Sequence, residues 1–332
     1  TDDGGSYLDM VNGNQLELIS SDFINVSMFG GVGDSNIDDT LSTQNALNFN
    51  AKIKGVIGKR YKINTVNIPA DAVIDGVSFL SSEAQAESSS ILNAEGVDNV
   101  VIRNCNLDGN RGDQSIAIGN FISGSGVNHI YENNSIYDVN YTAINLIPPF
   151  DSGKILGNII NDVGGRGVTH NLSLVTQSKN TIINNNKSNT GITAISLISG
   201  EDSTNTSSAG CVDWVIDSNI VTNTGLNTPA GAIGGYSANN LRVTISNNHC
   251  SNIANHLHHV GGDYIKIINN TGVNIANTGV FLRNFPNDGG GSGAPLSTGC
   301  EIRGNTIKNV TGNGSGSNCG VRVSNSTNFI CS

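Results

Sequence analysis

One short pattern recurs along this chain and constrains its fold more than anything else. From about residue 97 onward the segments VIRNCNLD, YENNSIYD, LGNIIND, INNNKSN, DSNIVTN, SNNHCSN, NNTGVN and GNTIKN align on a single asparagine. The anchors are Asn104, Asn134, Asn158, Asn185, Asn219, Asn248, Asn270 and Asn305. Three residues before each stands an apolar residue such as Tyr131, Ile155 or Ile216, and four residues after each stands Asp or Asn. Anchor spacing runs from 22 to 35 residues, as expected when each repeat is one coil of a solenoid and only its loops change length. Apolar positions alternate with period two, as in Gly-Val-Arg-Val-Ser (320–324), so the coils are built from strands and not helices. An asparagine at one turn of every coil can donate to and accept from its counterparts above and below, and it tolerates the left-handed backbone of a sharp turn. The anchors therefore predict a stacked ladder that stabilises the fold.

Composition narrows the function. The chain carries 17 Lys and Arg against 27 Asp and Glu, a net charge of -10 with no basic run, which argues against nucleic acid or an anionic membrane as partner. No apolar stretch approaches the roughly 18 residues of a membrane-spanning helix. Six cysteines are scattered without CxxC pairs and read as free, mostly buried thiols. No cofactor or metal site is expected. The three histidines His256, His258 and His259 do not change that, because strand alternation puts only His256 and His258 on one side.

The register I-x-x-N-x-x-x-N followed by G-V-x-V resembles the pectate-lyase-type parallel β-helix superfamily over about two thirds of the chain. FINVSMFGGVGDSNIDDTLSTQNAL (23–47) is similar to the F-G-A-x-G-D-G-x-x-D-D-T-x-A-I opening of that superfamily, often seen in bacteriophage tailspikes; Ser35 stands where glycine is usual. The resemblance implies an all-β, right-handed, three-faced parallel β-helix. It would have a short N-terminal segment with a capping helix (1–50) and a solenoid over 51–332. Asp38 or Asp39 can cap that helix from about Thr40 to Phe49, with Leu41, Ala46, Leu47 and Phe49 as apolar positions, covering the open solenoid end. It further implies a homotrimer on a virion tail, assembled in the host cytoplasm, that binds and cleaves a bacterial surface polysaccharide such as O-antigen or capsule.

Two long loops, 199–213 and 283–299, flank two short coils and make the walls of an expected groove. Its floor would be GAIGGY (231–236) and HLHHV (256–260), with Ser196 on one flank and Phe281 and Arg283 on the other. Trp214, Tyr236, His258, Arg283 and Asp288 are the expected carbohydrate-binding side chains, since aromatic and imidazole rings stack on or hydrogen-bond to sugars. Glycoside hydrolysis needs two facing carboxyl groups, roughly 5 to 5.5 Å apart for retention and roughly 6.5 to 9.5 Å for inversion. Glu201 as acid with Asp202 or Asp263 as base is the expected catalytic set. A lyase would instead use His258 or Tyr236 as base and Arg283 to neutralise a uronate, and a non-catalytic adhesin would need neither set.

Overall fold

The computed structural model describes residues 7–9, 15–17, 22–82, 90–111, 120–164, 166–170, 178–179, 181–184, 186–190, 193–197, 210–224, 231–234, 240–283, 297–311, 319–324, 326–327 and 330–332. Short strands stack into three long parallel sheets, visited in turn by each coil. The first has eleven strands, from Lys52–Lys54 to Ile330–Cys331, and the second has eleven, from Asp34–Asp38 to Thr306–Val310. The third has twelve: ten in a continuous stack from Val66–Asn67 to Val321–Ser324, plus Ser178–Lys179 and Cys211–Val212 at its margin. One coil illustrates the path. Ile130–Glu132 lies in the first sheet, Ser135–Tyr137 in the second and Thr142–Asp151 in the third, after which Lys154–Leu156 returns to pair with Ile130–Glu132. This is a right-handed parallel β-helix, as the repeat and the resemblance predicted.

Most strands turn a branched or aromatic residue inward, so apolar columns run along the coil. In the first sheet Ile74, Ile102, Tyr131, Ile155, Ile183, Ile216, Ile245 and Ile267 form such a column, all buried. Burying each such side chain is worth about 1.5–3 kcal/mol. Regular coiling begins before residue 97, because Lys52–Lys54 already pairs with Val73–Asp75 and that strand with Val101–Arg103. These early coils escaped the repeat pattern because they lack the ladder asparagine; Val77 occupies its place.

The ladder exists, with a corrected register at two rungs. Its members are Asn134, Asn158, Asn186, Asn219, Asn248, Asn270 and Asn305, headed by Cys105 where Asn104 was expected. Asn186, not Asn185, is the fourth-coil rung; Asn185 itself lies outside the described residues. The Asn158 Oδ1 accepts from both the backbone N and the Nδ2 of Asn134 at 3.0 Å, while Asn158 Nδ2 donates to the Tyr131 carbonyl at 2.9 Å. The sequence reading gave one residue two tasks that the structure divides. Left-handed backbone falls to the preceding position, Asn104, Asn133, Ser218, Asn247 and Asn269, with φ between 53° and 55°.

The capping helix spans Thr40–Phe49. Asp38 Oδ1 accepts from the Thr40 N at 2.8 Å, whereas the buried Asp39 carboxylate turns back to the Val32 and Gly33 backbone amides at 2.7 and 3.0 Å. Ala46 and Leu47 pack into the core, but Leu41 is 72 % exposed, because its side lies away from the coil. Gln44 guards the sheet edge. Its side-chain amide exchanges two hydrogen bonds of 2.9 Å with the backbone N and O of Asn67 on the terminal strand of the third sheet, acting as one more strand residue.

All six cysteines are free. Cys105, Cys211, Cys250 and Cys300 are buried, and Cys331 is exposed. Burial pushes the Cys105 and Cys250 thiols up to about 12.

Candidate functional site

The outer face of the third sheet is where the structure concentrates shielded polar groups. Strand alternation sends Leu92, Ile122, Ile144, Ile195, Ile233, His258 and Val280 into the core in one register column. The next column points outward and holds one residue per strand. In order these are Asn67, Asn93, Ser123, Asn145, Ser196, Gly234, His259, Phe281 and Arg322, with the register position of Thr169 between Asn145 and Ser196. Ten strands stacked about 4.8 Å apart make a row roughly 43 Å long.

The row divides in two. Its first half is a ladder of amides and hydroxyls, in which Asn93 Nδ2 donates to Asn67 Oδ1 at 3.1 Å and Asn145 Nδ2 donates to Ser123 Oγ at 3.2 Å. Its second half is aromatic and basic. The His259 and Phe281 rings stack with centroids 4.6 Å apart and planes at 9°, and His256 lies 5.0 Å from His259 and 5.4 Å from Phe281. The Arg322 guanidinium sits 4.7 Å above the Phe281 ring. Although they face away from the core, Ser123, Asn145, Ser196, His259 and Phe281 are all buried, Phe281 at 4 % exposure. This face is recessed. Burial, with the Arg322 charge behind it, lowers the His256 pKa to about 4, so its ring is neutral near pH 7.

The residues singled out from sequence separate into three groups. Glu201, Asp202, Tyr236 and Asp288 lie outside the described residues, and Arg283 ends the strand Val280–Arg283, opposite Ser324. Asp263 stands at the corner between the third and first sheets, where one carboxylate oxygen accepts from the Thr298 N at 2.9 Å and ties down the next coil. Trp214 and His258 are corrections. Trp214 is fully buried in an inward column between Thr181 and Val243, and His258 is fully buried between Ile233 and Val280, so neither presents a face to a ligand. Burial lowers the His258 pKa to about 3.

The histidine parity expected from sequence was therefore inverted. His258 points in and His259 points out, and His256 meets His259 because the turn before the strand breaks alternation. Aligning HHV (258–260) with VFL (280–282) would have shown this, since Val280 and Leu282 are core residues. Ser196 and Phe281 do fall on the row, and Gly234 is its one rung without a side chain. Arg322 and Asn145 were missed, although Arg322 sits between Val321 and Val323 in plain alternation.

No family model matches the chain, and no curated protein matches it in sequence. Solved structures do match in fold. The polygalacturonase from Erwinia carotovora ssp. carotovora superposes with a TM-score of 0.61 at 12 % identity, over 90 % of this chain and 96 % of that one. The exopolygalacturonase from Thermotoga maritima gives 0.59 at 13 % identity, over 90 % and 93 %. The Dettilon tailspike protein gives 0.58 at 14 % identity, over 93 % and 68 %. The chain thus shares the right-handed parallel β-helix fold of these structures.

Proposed function

We propose that this chain is the body of a bacteriophage tailspike that binds and depolymerises a bacterial surface polysaccharide, O-antigen or capsule, along the recessed face of its third sheet. The observation that carries the reading is the roughly 43 Å row of amides, hydroxyls, stacked rings and an arginine, shielded along its middle, long enough for several sugar units of an extended chain. Fold likeness to a tailspike protein and to polygalacturonases supports it. Within this reading the protein is a homotrimer, and Glu201 with Asp202 or Asp263 supplies the acid and base of an endo-acting hydrolase.

The test is to incubate the protein with purified O-antigen and capsule from candidate hosts, following polymer length and the absorbance of unsaturated uronate together. Shortening without new absorbance, abolished by Glu201→Gln or Asp202→Asn, is the expected result. Shortening with new absorbance would replace hydrolysis by elimination, and retention of polymer without shortening would leave an adhesin.

A further inference from the structure

Exposed apolar side chains crowd the N-terminal end of the solenoid. Among the described residues fifteen large apolar side chains are exposed, and seven of them fall between Phe23 and Ile57. Leu41 and Ile57 are the two most exposed of all. Leu41 lies on the side of the capping helix opposite Thr43, Ala46 and Leu47, which face the core. Met28 is exposed on the short 3₁₀ turn Val26–Phe29, whose Val26 and Phe29 are buried, and the Phe29 and Phe49 rings meet with centroids 5.4 Å apart. Turn and helix thus form one plate over the first coil, apolar on its outer side as well as its inner one. A concentration of this kind on one surface marks a place where something docks.

The same end gathers positive charge. Lys52, Lys54, Lys59, Arg60 and Lys62 are five of the chain's 17 basic residues. Lys52 and Lys54 alternate outward around the buried Ile53, which bridges Ile24 beside Phe23, and the Lys59 Nζ donates to the Val32 carbonyl at 2.6 Å. The carboxylates nearby are already engaged: Asp34 accepts from the Asn36 and Ile37 amides, Asp38 from Thr40 and Asn64, and Asp39 from the Val32 and Gly33 amides.

Residues 1–22 are the complement of that surface. They hold Asp2, Asp3, Asp9, Glu17 and Asp22 with neither Lys nor Arg, and seven large apolar residues between Tyr7 and Ile19. Tyr7–Asp9 pairs antiparallel with Gln15–Glu17, and neither pairs with any other described strand. A two-stranded hairpin by itself is marginally stable in water and needs an apolar surface to rest on. The segment also joins the solenoid at the plate itself, through the Ile24 to Ile53 bridge, so its local concentration there is on the order of mM.

We infer that residues 1–22 dock on the outer side of the capping plate of their own chain, closing the N-terminal end with a second layer. Their apolar residues cover Met28, Leu41 and Ile57, and their carboxylates pair with Lys52, Lys54 and Lys59. The inference stands apart from the polysaccharide reading, and neither depends on the other.

The experiment is zero-length carbodiimide cross-linking of the full chain, which joins a carboxylate only to an amine in direct contact with it. The chain is co-produced with a copy carrying Asp9→Glu and Val56→Ile as mass tags, and links are read between the chymotryptic peptides 9–16 and 50–61. Leu41→Asp, and separately Ile57→Asp, are made in the same chain. Both positions are exposed, so the fold should survive, which far-UV circular dichroism checks.

The expected result is linked peptides that carry both tags or neither, reduced fivefold or more by either substitution. Links carrying a single tag would overturn the inference by showing that a second copy supplies the segment. No link at all would place the segment elsewhere and leave the plate to another partner. Links undiminished by both substitutions would show tethering without docking, and would overturn it too.

Discussion

The outer faces of the first and third sheets come from the same coils and the same alternation, yet they are different surfaces. At the early coils of the first sheet the outward residues Asp75, Arg103 and Glu132 are charged and partly exposed, and they neutralise one another along the stack. Arg103 lies 3.1 Å from Asp75 on the coil before and 4.0 Å from Glu132 on the coil after. On the third sheet the middle of the outward row is made of amides, hydroxyls and rings, and Ser123, Asn145, Ser196, His259 and Phe281 are shielded from water. A polar residue facing outward is thus no evidence of exposure. Charged pairs serve an open face because water screens and solvates them, whereas a recessed face is made of groups whose desolvation a neighbour or ligand can repay.

Four substitutions test this contrast. Phe281→Ala removes a shielded ring that supports both His259 and Arg322, and should lower stability by about 3 kcal/mol or more, read from denaturant unfolding. A loss under about 1 kcal/mol would mean the third face is open like the first. Asn158→Ala, inside the ladder, leaves the buried Asn134 amide without its acceptor and should cost about 2–3 kcal/mol. It calibrates what a shielded amide is worth in this fold.

His258→Ile probes shielding through pH. The unfolded histidine titrates near 6.5, and burial lowers the folded value to about 3, so the folded state favours the neutral ring. That stability is fully present above pH 6.5 and is lost as pH falls from there towards 3, a slope to which His256 adds down to about 4. Isoleucine, the residue of the neighbouring rung at 233, should flatten this limb and raise stability at pH 4.5 by about 2 kcal/mol relative to the parent. An unchanged acid limb in thermal melts would refute the burial of His258. The smallest effect belongs to the open face. Arg103→Gln should change stability by less than about 1 kcal/mol, and added salt should shrink the difference further.

Much of the fold was legible because a solenoid repeats its constraints. Eight asparagines in one register, inward Ile or Tyr three residues before most of them, and an Asp-Asp-Thr ahead of a helical stretch each carried a local physical reason, and the helix Thr40–Phe49 followed directly. The register slipped by one at Asn104 and Asn185 because asparagine also serves the left-handed turn next to the rung, and adjacent asparagines such as 133 and 134 look alike in sequence. The site was less legible. Ser196, Gly234 and Phe281 could be placed on it, but Trp214 and His258 could not be kept, since a large ring next to a strand reads the same whether it faces core or groove.

The sequence by itself determined the coil, because the alternation of strands and the hydrogen-bonding capacity of asparagine are local properties that each repeat states again. Only the tertiary structure decided which outward column is shielded and that His259 lies over Phe281 and Phe281 under Arg322. Those residues are 22 and 41 positions apart and meet through strand register, which is set by the length of every intervening turn and not by any residue in the row.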